Sequence, residues 1–267
     1  MKLSHVLELI DARTTEGQEE IATGFSKLDS ILDGGFRKKE LIILGGQTGV
    51  GKSYIACQIF AKIATQGFNS GYFSLEVSNE MLASRIVAMK SGLPASHIMF
   101  GRVHKDHVDY LKAQGSLVAY DELMHFHDDI YKLIDIERII KDNRYEFVVI
   151  DFIQNIMSDD RDEYSRLSEV ALRLQKLAKE TDCVILCLSQ LSNSVAKEKG
   201  ENTSLEYKGS GSIAMVADLG FFLKKSSNGD KVFDPEMELR LAKNRRGVSG
   251  AVVQLGWKFP HGYMYER

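Results

Sequence analysis

The chain has 267 residues, 44% hydrophobic and 27% charged, with a formal net charge of −3. That length buries a full core without staples, and the slightly acidic balance excludes a globally basic nucleic-acid binder, so any such contact has to be local. No run approaches the ~18 apolar residues of a helical membrane span. The three cysteines, Cys57, Cys183 and Cys187, fall in apolar runs without metal-ligand spacing, which reads as buried free thiols in a reducing compartment.

In chain order, Leu3, Val6, Leu7 and Ile10 form one apolar stripe at helical spacing. A polar tether, "DARTTEGQEE", follows, and the start of the chain does not read as a signal peptide. The stripe has two possible seats, its own domain or a groove of a neighbouring chain. Residues 1–20 are therefore expected to form a short helix and tether, and residues 21–267 a single α/β domain.

From residue 40, strand and helix patterns alternate. "ELIILGG" reads as a buried strand, and "GKSYIACQIFAKIATQG" as a helix stopped at Gly67. "SGYFSLE" is a second strand, followed by a helix over "SNEMLASRIVAMKSG" capped by Ser78. "MHFHDD" is a third strand, before the helical "DIERIIKDN"; "EFVVID" and "CVILCLSQ" are strands flanking the amphipathic helix "LSEVALRLQKLAKETD". Nearly continuous apolar strands alternating with helices predict a mostly parallel sheet covered on both faces. "LGFFLKK", "EMELRLAKN" and "AVVQLGWKF" read as an antiparallel C-terminal extension.

Residues 46–53, "GQTGVGKS", fit G-x-x-x-x-G-K-[ST] between a strand and a helix. Glycines let backbone N–H groups turn toward phosphate oxygens, and the helix N-terminus adds partial positive charge. The expected nucleotide contacts are Gly46, Thr48, Gly49, Val50, Gly51, Lys52, Ser53 and Tyr54. Lys52 is expected on the β- and γ-phosphates and the Ser53 hydroxyl on Mg²⁺. Asp151 closes the strand "FVVID" at its carboxyl end, where open α/β sheets bind ligands and where a Mg²⁺-associated carboxylate belongs. Glu76, after the strand "GYFSLE", is a candidate base for the attacking water, or else a contact at the next helix start. Gln190 ends "CLSQ" and is either a γ-phosphate sensor or an ordinary loop residue.

The order of these motifs resembles the RecA-like motor domain of DnaB-type replicative helicases. "TGFSKLDSILDGGF", "GGQTGVGKS", "SLEVSNEMLASRI", "VVIDFIQNI", "LSQLSN", "GSGSIAMVADLGFFL" and "LAKNRRGVSG" carry the resemblance, over about residues 20–267. It implies a P-loop ATPase using ATP and Mg²⁺, with Glu76 as catalytic base, Gln190 as γ-phosphate sensor and a less defined role for Arg85. It also implies that Lys243 and Arg245 act on a neighbouring subunit's nucleotide, and that residues 1–20 are a linker helix and tether, the helix docking on an adjacent motor. Lys208, Gly209, Ser210 and Gly211 match the family's strand-gripping segment; they lie within the polar stretch of residues 191–213, which also carries Lys197 and Lys199 and whose alternative reading is a solvated loop without a ligand. The family's N-terminal collar domain is not part of the match. Two departures stand out: Gln47-Thr48 where the family often has Arg-Pro, and Ala214-Met215-Val216 where acidic and amide residues are usual.

The resemblance implies a ring-forming, hexameric, ATP-driven single-stranded DNA translocase and helicase in the cytoplasm of a bacterial or phage-infected cell, with primase or a loader as further partners. A RecA- or RadA-like recombination ATPase and a scaffolding ATPase that does not unwind are the alternatives. The adjacent Arg245 and Arg246 read as a hairpin edge beside a turn at Gly247, projecting away from their own core to opposite faces.

Overall fold

Strands that are apolar at every position have no solvent face, so both sides need cover. The computed structural model, which describes Glu8, Asp11 and residues 20–113, 120–158, 162–190, 211–226, 234–259 and 261–267, supplies it. Strands β1 (Leu41–Gly46), β2 (Ser70–Ser74) and β4 (Phe147–Asp151) are buried throughout, and β5 (Val184–Gln190) everywhere but its last residue. With β3 (Met124–His127), β6 (Leu219–Lys225), β7 (Glu236–Asn244), β8 (Val252–Lys258) and β9 (Tyr263–Glu266) they form one nine-stranded sheet, ordered β3-β2-β4-β5-β1-β6-β7-β8-β9.

One face is covered by α1 (Ser26–Ile31), α2 (Lys52–Ala64) and α3 (Asn79–Ser91), the other by α6 (Leu133–Asn143) and α7 (Glu163–Thr181). Between them, α4 (Ala95–Met99) and α5 (Lys105–Ala113) have no buried residue. A short helix, α8 (Gly211–Val216), precedes β6. Ser78 caps α3 as expected, its side chain accepting from the Met81 N–H at 3.3 Å.

The strands from β3 to β6 pair in parallel, and β6-β7, β7-β8 and β8-β9 are antiparallel. The antiparallel extension therefore starts one strand later than the sequence pattern predicts. The chain between β5 and β6 returns to the opposite end of the sheet, so β6 runs with β1. Within the extension β7 alternates buried and half-buried positions, the signature of an antiparallel strand. The apolar stripe Leu3, Val6, Leu7 and Ile10, and Lys197, Lys199, Lys208, Gly209 and Ser210, lie outside the described residues.

Register fixes which ends meet. Gly46 lies opposite both Gln190 and Leu223, and Ser74 opposite Asp151. The carboxyl ends of β1, β2, β4 and β5 therefore share one edge. The opposite edge holds the start of β6 and the end of β7, where Leu219 pairs Asn244.

Candidate nucleotide site

The loop between β1 and α2 turns on glycine. Gly49 and Gly51 have φ of 75° and 98°, left-handed values that suit glycine, and Gly51 is the N-cap of α2. Thr48, Gly49, Gly51, Lys52, Ser53 and Tyr54 line a cleft of about 270 Å³. Val50 differs: its side chain is 5% exposed and belongs to the core, so only its backbone faces the loop. Gly46 is required by packing, because a Cβ there would sit 2.7 Å from the Leu223 carbonyl oxygen.

The Lys52 ammonium is held over the loop, donating to the Gly46 and Gln47 carbonyls at 2.9 Å each. An ammonium has three donors, so one remains for a phosphate oxygen. Burial pushes its pKa down, against the nearby Asp151 and Glu76 carboxylates, which pull it up.

Asp151 is 2% exposed. Burial pushes its pKa up, opposed by hydrogen bonds from the Ser53 and Tyr72 hydroxyls and by the Arg85 and Lys52 charges. The Tyr72 hydroxyl donates to Asp151 Oδ2 at 3.0 Å. The contact follows from register: Tyr72 pairs Val149, which makes Asp151 its diagonal neighbour two residues on. Ser53 and Asp151 together offer a hydroxyl and a carboxylate. That hard oxygen pair fits Mg²⁺, which is commonly held by one or two carboxylates plus phosphate oxygens and water. Among the described residues there is no cluster of three or more His, Cys, Asp or Glu that could hold a metal.

Glu76, two residues beyond β2, is exposed and lines the same cleft, as does Gln190. The backbone of Gln190 is bracketed by Gln154, whose amide accepts from the Gln190 N–H at 3.3 Å and donates to its carbonyl at 3.2 Å. Arg85 reaches in from α3, its guanidinium 4.6 Å from the centroid of the Tyr54 ring, and its buried Nη1 has no hydrogen-bond partner among the described residues. Trp257 and Phe152 complete the wall, with Trp257 5.2 Å from Tyr54 between ring centroids.

The remaining expected groups sit elsewhere. Lys243 is near the end of β7 and Arg245 in the turn after it. The Lys243 ammonium and Arg245 Nη2 both donate to the Met215 carbonyl at 2.8 Å. Arg245 also pairs with Asp218 at 3.0 Å. Burial and the Arg245 charge push the Lys243 pKa down. Along β1, which has six residues, the two ends are roughly 20 Å apart at ~3.3 Å per residue. Arg245 is thus remote from its own Lys52. Arg246 departs from the expected outward projection: it turns inward to Glu40 and donates to the Leu32 and Gly35 carbonyls at 3.2 and 3.0 Å. β7 ends at Asn244, so turn geometry and not strand alternation aims the two arginines.

Residues 20–262 match the family model of the DnaB-like helicase C-terminal domain. The chain belongs to this family. A replicative DNA helicase DnaB of Treponema pallidum is 32% identical over 241 residues, covering 87% of this chain and 53% of that protein. The chain thus spans about half the length of the curated relatives it matches. A solved ATPase domain superposes with a TM-score of 0.88 at 18% identity, covering 100% of this chain and 99% of that one. A DnaB-like replicative helicase, solved in a study of its interactions with primase, gives a TM-score of 0.82 at 18% identity over 99% of this chain and 67% of its own. The shared fold is RecA-like, a mostly parallel sheet between helices with antiparallel C-terminal strands.

Against the DnaB-like expectations, Lys52, Ser53, Tyr54, Glu76, Asp151 and Gln190 converge on one cleft, while Lys243 and Arg245 do not join them. Gly211 opens α8, and the rest of the expected strand-gripping segment is outside the described residues. Sequence reasoning missed Tyr72, Gln154, Phe152 and Trp257. A tyrosine inside a strand buried at every position did carry a signal, because its hydroxyl needs a buried partner. Gln154 carried none, since its role depends on which strands are neighbours.

Proposed function

We propose that this domain is the ATP-hydrolysing motor of a replicative DNA helicase, working as a homo-oligomeric ring, hexameric as the family resemblance implies, on single-stranded DNA. The observation that carries the reading is the placement of the expected site residues at two ends of the sheet. Lys52, Ser53, Asp151, Glu76 and Gln190 surround the cleft, whereas Lys243 and Arg245 reach a nucleotide only if it belongs to another subunit.

Loop amides and the spare Lys52 donor hold the triphosphate, and Tyr54 and Trp257 wall the cleft beside it. Ser53 and Asp151 would hold Mg²⁺, which neutralises charge on the phosphate oxygens when bound. Glu76 takes the proton of the attacking water, leaving hydroxide to attack the γ-phosphorus as ADP departs. Gln190, whose backbone Gln154 holds, senses the γ-phosphate. It is the last described residue before the polar stretch ending at Lys208, Gly209, Ser210 and Gly211, which grips the strand through phosphates without regard to sequence. Arg245 and Lys243 stabilise the transition state in the neighbouring subunit. The N-terminal stripe docks on an adjacent motor, and primase or a loader binds the assembled protein in a bacterial or phage-infected cytoplasm.

Unwinding of a forked duplex, measured beside strand exchange and DNA-dependent ATPase, tests the reading. ATP-dependent unwinding without strand exchange is expected. Strand exchange without unwinding would move the assignment to recombination, and ATPase with neither would indicate a scaffold. Lys208→Ala is expected to weaken single-stranded DNA binding uniformly across sequences and to lower the salt slope by ~0.7 per lost phosphate contact. An unchanged slope moves the grip to Lys197 or Lys199.

A further inference from the structure

Asp218 occupies a junction. Its backbone N–H donates to the Leu41 carbonyl at 2.8 Å, and its Oδ2 accepts from the Leu41 N–H at 3.0 Å. These two bonds fasten it to the first residue of β1. On its other side its carbonyl accepts from the Arg245 N–H at 3.0 Å, and Oδ1 accepts from Arg245 Nη1 at 3.0 Å. The carboxylate is 15% exposed and the Arg245 side chain 44% exposed. Both carboxylate oxygens are therefore committed, one to the sheet and one to the arginine.

The second anchor is a helix end. The last carbonyls of a helix lack intrahelical partners and accept from cations. At the end of α8, Met215 accepts from Lys243 and Arg245, and Val216 accepts from the Gln175 amide at 2.6 Å. A guanidinium has five N–H donors in a rigid fork. Asp218 and Met215 take one each from Nη1 and Nη2, leaving three on a half-exposed group.

We propose that Asp218 is a positioning residue for Arg245: with the Met215 carbonyl it fixes the guanidinium so that its remaining donors face the neighbouring subunit's γ-phosphate. The inference rests on the reading of Arg245 as a group acting in trans. An unheld arginine samples many rotamers, and ordering it at the moment of reaction costs rate. Asp218, held to the rigid start of β1, removes that cost in advance. Because Met215 belongs to the helix that opens at Gly211, the guanidinium is referenced both to the sheet and to the element following the candidate DNA grip.

Asp218→Asn tests this, since the amide oxygen still accepts from Leu41 while the charge facing Arg245 is lost. Ring assembly, thermal midpoint and KM for ATP are expected to match the wild type, with kcat lowered ~10–100-fold. Mixing with Glu76→Gln subunits, which keep the arginine but lack the base, is expected to restore turnover; mixing with Arg245→Ala subunits is not. Those mixtures separate positioning from a structural role, because a damaged fold is not repaired by a neighbour's arginine. Wild-type or raised turnover in Asp218→Asn, or a loss that Glu76→Gln subunits fail to rescue, overturns the proposal. Should the Asn variant melt early, Asp218→Glu keeps the charge but displaces it, and is expected to show the same pattern of rescue with a smaller loss; no loss there also overturns it. Arg245→Ala is the control. If it turns over normally, the trans reading itself fails; if it is impaired and Asp218→Asn is not, only the positioning role fails.

Discussion

The carboxyl edge of the sheet gathers Lys52, Ser53, Glu76, Asp151 and Gln190 around one cleft from segments far apart in the chain, whereas the opposite edge holds Arg245 and Lys243 against a carbonyl of α8. The first group lines one cleft within one chain. The second contacts the Met215 carbonyl and Asp218 and stands at the end of the sheet remote from that cleft. Parallel strands explain the first arrangement, because every strand ends at the same edge and delivers its following residue there. An antiparallel hairpin turns back at the other edge, so what it carries is offered outward. On the proposed reading, the same sheet separates half of a reaction centre from the half it lends.

The largest effect is expected where the lent half is removed. Arg245→Ala should bind nucleotide and assemble but hydrolyse ATP ~10³–10⁵-fold more slowly, the range of trans-acting arginines in related phosphoryl transfer. Single-turnover hydrolysis with mantATP binding as the control checks it; normal turnover would make the cleft sufficient without Arg245. Glu76→Gln, on the near edge, should keep ATP affinity and lose ~10²–10⁴-fold in rate, because an amide fills the space and takes no proton. In mixed rings these two losses should complement each other, and persistent inactivity in rings shown to be mixed would place both groups in one subunit's site.

A smaller effect belongs to the support beneath the proposed Mg²⁺-holding pair, Ser53 and Asp151. Tyr72→Phe deletes the hydroxyl that bonds Asp151 Oδ2 and leaves the ring. A hydrogen bond to a charged group is worth ~1.5–3 kcal/mol, so the Mg²⁺ concentration for half-maximal ATPase should rise ~10-fold. No change in that midpoint would mean that Tyr72 serves packing alone.

The near edge was far more legible in sequence than the far one. The phosphate loop is contiguous, and Asp151 and Gln190 each close a run of apolar residues, so local pattern alone puts them at strand ends. Assembling them in one cleft needed only parallel order. Tyr72 with Asp151 required knowing that β2 and β4 are neighbours, which no local period encodes. The far edge depends on contacts across the whole chain: Arg246 meets Glu40, and Asp218 meets Leu41 across 177 positions. Reading Arg245 and Arg246 as strand residues with opposite faces missed that β7 ends at Asn244, which lets one arginine turn inward and the other stay half exposed. α4 and α5 bury nothing, so their sequences carry little core periodicity to read.

Arg246→Ala sharpens the contrast from the other side, because it should leave turnover within ~2-fold of wild type while costing stability. Arg246 is 17% and Glu40 10% exposed at the side chain, with Nε 2.9 Å from Oε1, close enough for an ion pair though not aligned as a hydrogen bond. Removing one member of a buried pair strands the other, and here two loop carbonyls lose their donors as well, so a loss of about 3 kcal/mol is expected. Burial already holds the Glu40 carboxyl above its usual range, with Asp218 adding to the rise and the Arg37 N–H, Arg246 and the Arg37 charge opposing it. Without Arg246 it should rise further. A carboxyl with a raised folded pKa keeps its proton in the native state after the unfolded chain has lost it, so stability falls as pH climbs from the unfolded value through the folded one. The variant should therefore lose more stability at pH 8 than at pH 5, read from urea midpoints of both proteins at the two values. An equal loss at both would show that Glu40 is not what Arg246 stabilises, and a loss of turnover in assembled rings would show that the two arginines of this turn share one task.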